Sequence, residues 1–167
     1  TATTSGIWNA AFGTVALQSN TTGSYNIAIG AYALQANTTA SNNTAVGYQA
    51  AYSQITGWSN TAVGRQALYT STGSENTAVG DIALYANTTG SFNVGIGRFA
   101  LYSNTTASNN TAVGYQAAYS NTAQAIIAIG YQSLYANTTG VQNVSVGNVA
   151  LGNNTTGGYN TSFGHQS

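Results

Sequence analysis

Cysteine, proline, methionine and lysine are all missing from the 167 residues, and charge is nearly missing with them. Without cysteine there are neither disulfides nor thiolate metal sites, and the redox compartment stays open. Charged residues make up 2% of the chain, against roughly 25% in a typical soluble domain. The whole set is Arg65, Glu75, Asp81 and Arg98, with His165 as the single histidine, and the formal net charge is zero. Two arginines cannot track a phosphate backbone, which argues against nucleic-acid binding. The longest apolar run, about Ala125 to Ile129, falls far short of the roughly 20 residues that span a bilayer, so membrane insertion is not expected. From Thr1 onward no charged leader is visible, and the sequence reads as a mature chain or an excerpt of something longer. Proline deletes a ladder donor and belongs at edges and bulges. Its absence fits a chain in which nearly every residue sits in a stacked coil.

What is present is a repeat. A glycine closes each N-x-A-V-G-like motif at Gly13, Gly30, Gly47, Gly64, Gly80, Gly97, Gly114, Gly130, Gly147 and Gly164, at spacings of 17 or 16 residues. The consensus reads N-T-A-V-G-x-x-A-L-Y-x-N-T-T-G-x-x. So short and strict a period predicts a solenoid, and 17 residues leave room for two short strands and two turns rather than a helix pair. The reading is therefore all-β: a single domain over 1–167, a parallel β-solenoid (β-roll) of about ten 16–17-residue coils. Stacked at about 4.8 Å, the coils would make a rod roughly 45–50 Å long. The two 16-residue coils lose their residue near N-T-T-G, as in Thr70-Ser71-Thr72-Gly73, which places that stretch at a corner. Residues 40–53 and 107–120 are the same string, ASNNTAVGYQAAYS, four coils apart, which implies duplication of a four-coil block.

Aligned by coil, the sequence resolves into columns. Before the anchor glycine stands a large apolar residue in every coil, such as Ile29, Val46, Val63 and Val79, which is expected to face a core. One residue earlier the column is always small, with Ala28, Ala45, Ala62, Ala78, Ala112 and Ala128 among its members. Neighbours in a strand face opposite ways, so the small column is assigned to packing between chains. In the other orientation the alanines face inward and the Val/Ile stripe faces out, and that stripe then needs a partner. A second small column (Ala33, Ala50, Ala67, Ala83) runs beside a leucine column (Leu34, Leu68, Leu84, Leu101) that is interrupted by Ala51 and Ala118. Trp58 and the pair Ile126–Ile127 are expected to fill those two gaps.

Asn26, Asn43, Asn60, Asn76, Asn93, Asn110 and Asn143 form a ladder broken only at Ile126, in which stacked amides bond along the axis and satisfy turn backbone groups. The residue after each anchor glycine carries most of the charge. Stacking sets Arg65, Asp81 and Arg98 side by side, with Tyr48, Tyr115 and Tyr131 in the same column. This column reads either as a modest surface salt bridge or as a recognition or interchain ladder. Tyr52, Tyr69, Tyr85, Tyr102, Tyr119 and Tyr135 form another file, read as structural stacking with a sugar platform as the alternative. One histidine, two separate carboxylates and no thiol supply neither a triad nor a carboxylate dyad, so neither enzymatic activity, a metal nor a cofactor is expected.

Asn26-Ile27-Ala28-Ile29-Gly30, Asn43-Thr44-Ala45-Val46-Gly47 and their copies resemble the repeats of trimeric autotransporter adhesin heads. The full unit is similar to repeat arrays of bacterial and phage tail-fibre-type proteins. The resemblance covers essentially the whole chain and implies a left-handed parallel β-roll, three copies around a common axis, and an extracellular, cell-surface or virion location. The functional expectation is a fibre shaft or head segment whose partners are its own copies, as a homotrimer or an end-to-end fibre, with cell-surface glycan as a candidate ligand. Joining Ser167 to Thr1 would keep a 16-residue spacing between Gly164 and Gly13. The rival is an ice-binding solenoid, in which Thr21, Thr38, Thr88, Thr105, Thr138 and Thr155 form one regular rank and the threonine that follows each forms another.

Overall fold

The computed structural model describes residues 5–167; Thr1, which enters the end-to-end spacing, lies outside them. The chain is an all-β solenoid without a helix among the described residues. Each coil contributes one three-residue strand: β1 (Ala10–Phe12), β2 (Ile27–Ile29), β3 (Thr44–Val46), β4 (Thr61–Val63), β5 (Thr77–Val79), β6 (Val94–Ile96), β7 (Thr111–Val113), β8 (Ile127–Ile129), β9 (Val144–Val146) and β10 (Thr161–Phe163). They form one parallel sheet in chain order, with like residues in register, Ala28 on Ala45 and Ala45 on Ala62. The register survives both short coils, where Thr61 pairs Thr77 and Thr111 pairs Ile127. The missing residue is taken from the N-T-T-G corner. Asn121 Nδ2 reaches the carbonyl two residues on, at Ala123, whereas Asn104 reaches the one three residues on, at Ala107.

The stretch expected to form a second strand does not. The second and fourth residues after each anchor glycine are left-handed, for instance Gln66 (φ 54°) and Leu68 (φ 55°). That backbone costs a non-glycine residue about 1–2 kcal/mol. It breaks strand alternation, so that Ala67 and Leu68 both lie in the core. The amides of this stretch still bond to the next coil, Leu68 N–H donating to Ala83 O at 2.9 Å and Leu84 N–H to Ala100 O at 2.9 Å. A conformation this unfavourable persists because the stacked coils on both sides over-determine it.

The core corrects one expectation. Ala28, Ala45, Ala62, Ala78, Ala112 and Ala128 are completely buried within the single chain, and no neighbouring chain can pack on them. The reason is the narrow bore of the coil. A Cβ placed on Gly95, which holds the same position in β6, would lie 3.2 Å from Leu84 Cγ and 3.4 Å from Ala100 O. The small column therefore packs on the Ala-Leu stretch of its own chain, where nothing larger than serine is found. Where serines replace alanines, Ser133 Oγ and Ser145 Oγ bond across the core at 2.7 Å, and Ser145 Oγ donates to Ala150 O at 2.7 Å. Of the expected gap fillers, Ile126 is fully buried, whereas Trp58 is half exposed and Ile127 points outward.

Candidate functional site

A core built largely of alanine contributes little burial per residue, so hydrogen bonds between coils carry much of the cohesion. Asn26, Asn43, Asn60, Asn76, Asn93, Asn110 and Asn143 are all buried. Each Oδ1 accepts the amide of the equivalent residue one coil on: Asn43 N–H to Asn26 Oδ1 at 3.0 Å, Asn76 N–H to Asn60 Oδ1 at 2.9 Å. Each Nδ2 except that of Asn110 donates to a corner carbonyl, as from Asn43 to Gly57 O at 3.0 Å and from Asn76 to Gly90 O at 2.9 Å. The ladder is thus mainly amide to backbone, which explains why Ile126 is tolerated. Its own N–H still donates to Asn110 Oδ1 at 3.0 Å, and Asn110 Nδ2 turns aside to Asn104 Oδ1.

A second buried ladder, passed over in the column reading, is formed by the asparagine that opens N-T-T-G. Asn37, Asn87, Asn104, Asn121 and Asn137 are buried and close their own corners, as Asn87 Nδ2 does on Gly90 O at 2.9 Å. They also bond along the axis, Asn104 Nδ2 to Asn87 Oδ1 at 2.9 Å and Asn137 Nδ2 to Asn121 Oδ1 at 2.7 Å. Its signal was in the consensus, where this asparagine recurs in all but two of the coils that carry the corner. Gln54 and Ser71 interrupt it. Gln54 Nε2 is taken up by Gly57 O at 2.7 Å, and Asn37 Oδ1 and Gln54 Oε1 are left without partners.

The face of the sheet that points away from the core is the feature of most consequence. Its two ranks are the first and third residues of every strand, one mixing Thr with Ile and Val, the other Phe12, Ile29, Val46, Val63, Val79, Ile96, Val113, Ile129, Val146 and Phe163. Ile27, Ile29, Ile96, Ile127 and Ile129 are each about 40% exposed, and Phe12 and Phe163 more so. An aliphatic stripe thus runs the length of the sheet with no charge in it. The orientation that puts the alanines inside is the one adopted.

The charge column is assembled as the spacing implied. Arg65 grips Asp81 through Nε at 2.8 Å and Nη2 at 3.1 Å, and Arg98 Nε reaches the same carboxylate at 3.3 Å. Both arginine side chains are more than half exposed, so each pair contributes about 0–1 kcal/mol. Arg98 also lies over the Phe99 ring, 4.6 Å from its centroid. In the same column Tyr115 and Tyr131 stack at 5.5 Å, while Tyr48 meets Tyr32 edge-on at 5.9 Å. The other tyrosine file is continuous from Tyr52 to Tyr135, with adjacent rings nearly parallel. Its faces are therefore turned to one another, and what it offers to solvent is a row of phenolic edges. Burial, and then the neighbouring phenols, raises the pKa of Tyr69 and of Tyr119 above the ordinary value. Half of the N-T-T rank also has its hydroxyls engaged. Thr21, Thr88 and Thr138 donate to carbonyls of the following coil at 3.0 Å.

No family model matches the chain, and no curated protein or solved structure matches it significantly.

Proposed function

We propose that the chain is a shaft or head segment of a trimeric surface fibre, extracellular, on a cell or on a virion. In this reading the aliphatic outer face of the sheet is the surface on which the three copies pack. The carrying observation is that stripe: ten coils each present a large apolar side chain outward, unbroken by charge, on a molecule whose own core is already closed. Monomeric proteins seldom leave a contiguous apolar patch beyond a few hundred Å² uncovered. The resemblance of the N-T-A-V-G unit to adhesin-head and tail-fibre repeats supports the same reading. With the sheet face inside the trimer, the Arg65–Asp81–Arg98 cluster and Tyr48, Tyr115 and Tyr131 are the groups offered to a cell-surface glycan. Against the ice-binding alternative, half of the threonine rank at the corner, Thr21, Thr88 and Thr138, spends its hydroxyls on carbonyls of the next coil.

The test is a charge placed in the middle of the stripe. Val79→Asp replaces an outward side chain, so the single-chain core is untouched. Far-UV circular dichroism should be unchanged while sedimentation velocity reports a threefold fall in mass. An assembly of unaltered mass would remove the stripe as the interface.

A further inference from the structure

With no cysteine, the chain has no disulfide with which to tie one coil covalently to the next. It does have 12 tyrosines, and six of them, Tyr52, Tyr69, Tyr85, Tyr102, Tyr119 and Tyr135, occupy consecutive coils in one file. Adjacent ring centroids are 5.0–5.7 Å apart and adjacent planes lie within 15° of parallel. Every ring is half-buried, its face against the next tyrosine and its edge toward solvent. We propose that this file is an oxidative cross-linking site, at which a haem-peroxidase-type one-electron oxidant using hydrogen peroxide joins tyrosines of neighbouring coils by carbon–carbon bonds.

The chemistry closes without further reagents. Each of two phenols loses one electron and its hydroxyl proton, leaving phenoxyl radicals with spin density on the ortho ring carbons. Two ortho carbons bond, and each ring regains aromaticity by passing its displaced hydrogen to the phenolic oxygen. The pair of tyrosines has then lost two hydrogens in total, and one hydrogen peroxide has become two waters. The oxidant needs to reach only a phenolic edge. A radical formed there faces another phenol of the same chain at about one coil spacing, and exchange along the file brings radicals onto neighbouring rings.

Exposure alone would give a different product. Tyr25 and Tyr159 are 52% and 77% exposed, more than any ring of the file, yet Tyr25 meets Trp8 at a tilt of 40° and neither has a tyrosine neighbour among the described residues. If access governed the reaction, these two would couple first, and between molecules. If stacking governs it, links form within the chain, in the five pairs of the file and in the separate Tyr115–Tyr131 stack.

The experiment treats the folded protein with a haem peroxidase and hydrogen peroxide, then reads dityrosine fluorescence, denatured single-chain mass and the linked peptides. The expected product is one chain lighter by two hydrogens per link, with links confined to consecutive-coil pairs and an upward shift of Tm. Tyr85→Phe combined with Tyr102→Phe removes three of the file's five overlapping pairs, so only Tyr52–Tyr69 and Tyr119–Tyr135 links should remain in the file and its largest number of separate links falls from three to two. Links through Tyr25 or Tyr159 between chains, or no dityrosine while peroxide is consumed, would overturn the proposal. Should the double variant fail to fold, the link map of the unaltered protein decides by itself.

Discussion

Asn60 couples coils through both ends of its amide: Oδ1 accepts the N–H of Asn76 at 2.9 Å, and Nδ2 donates to Gly73 O at 2.9 Å. Asn60→Ala strands both backbone groups where neither meets water. At about 1–3 kcal/mol for each buried group left unpaired, the expected loss is about 2–6 kcal/mol, measured by urea denaturation. Asp81→Ala, at an exposed pair, should cost no more than about 1 kcal/mol in the same assay. The asparagine column was legible because its residues recur in register, but the direction of its bonds was not. A column of identical amides does not say whether they bond to one another or to the backbone. The raised phenols of Tyr69 and Tyr119 make a pH prediction. Their folded pKa lies above the unfolded value, so their contribution is intact below pH 10.0 and is lost as pH rises from there through the folded pKa. Tm should fall on that alkaline limb, and less so in Tyr69→Phe combined with Tyr119→Phe, where two of the ionising groups are gone. An equal fall in both proteins would assign the limb to other groups.

At the level of the coil, the anchor glycine and the strand centre make opposite demands. Gly47 has φ +133°, and a Cβ there would lie 2.6 Å from Gly64 O and 2.7 Å from its carbonyl carbon, backbone atoms that the next coil holds in place. Gly47→Ala is expected to destabilise by about 4 kcal/mol or more, a loss of the size reserved for such special positions. A Cβ on Gly95 would meet Leu84 Cγ at 3.2 Å and Ala100 O at 3.4 Å, and every other coil carries Ala or Ser there. Gly95→Ala should be tolerated, with a gain of up to about 1 kcal/mol from the glycine it replaces. Thermal denaturation of the two variants, followed by circular dichroism, checks both. The anchor glycines and the N-T-T-G corner were readable because glycine spacing and deletions report backbone geometry directly. The absence of a second strand was not, because Leu68 and Gln66 carry no local signal for a left-handed backbone. That conformation is imposed by the stack.

For the whole rod, period, strand direction and register followed from ten aligned copies, each repeating the same constraint. Which face of the strand lies inside did not follow. Alternation separates Ala62 from Val63, but both orientations left one face to be covered, and only the bore of a coil that closes on itself decides between them. With Ala62 inside, the burden of association moves to Thr61, Val63 and their equivalents on the outer face. The central claim is that other copies of the chain cover this face, and the solution mass of the unaltered protein by light scattering tests it most directly. Three times the 17.0 kDa chain mass is expected. A stable species of 17.0 kDa, with the aliphatic stripe in water, would contradict it.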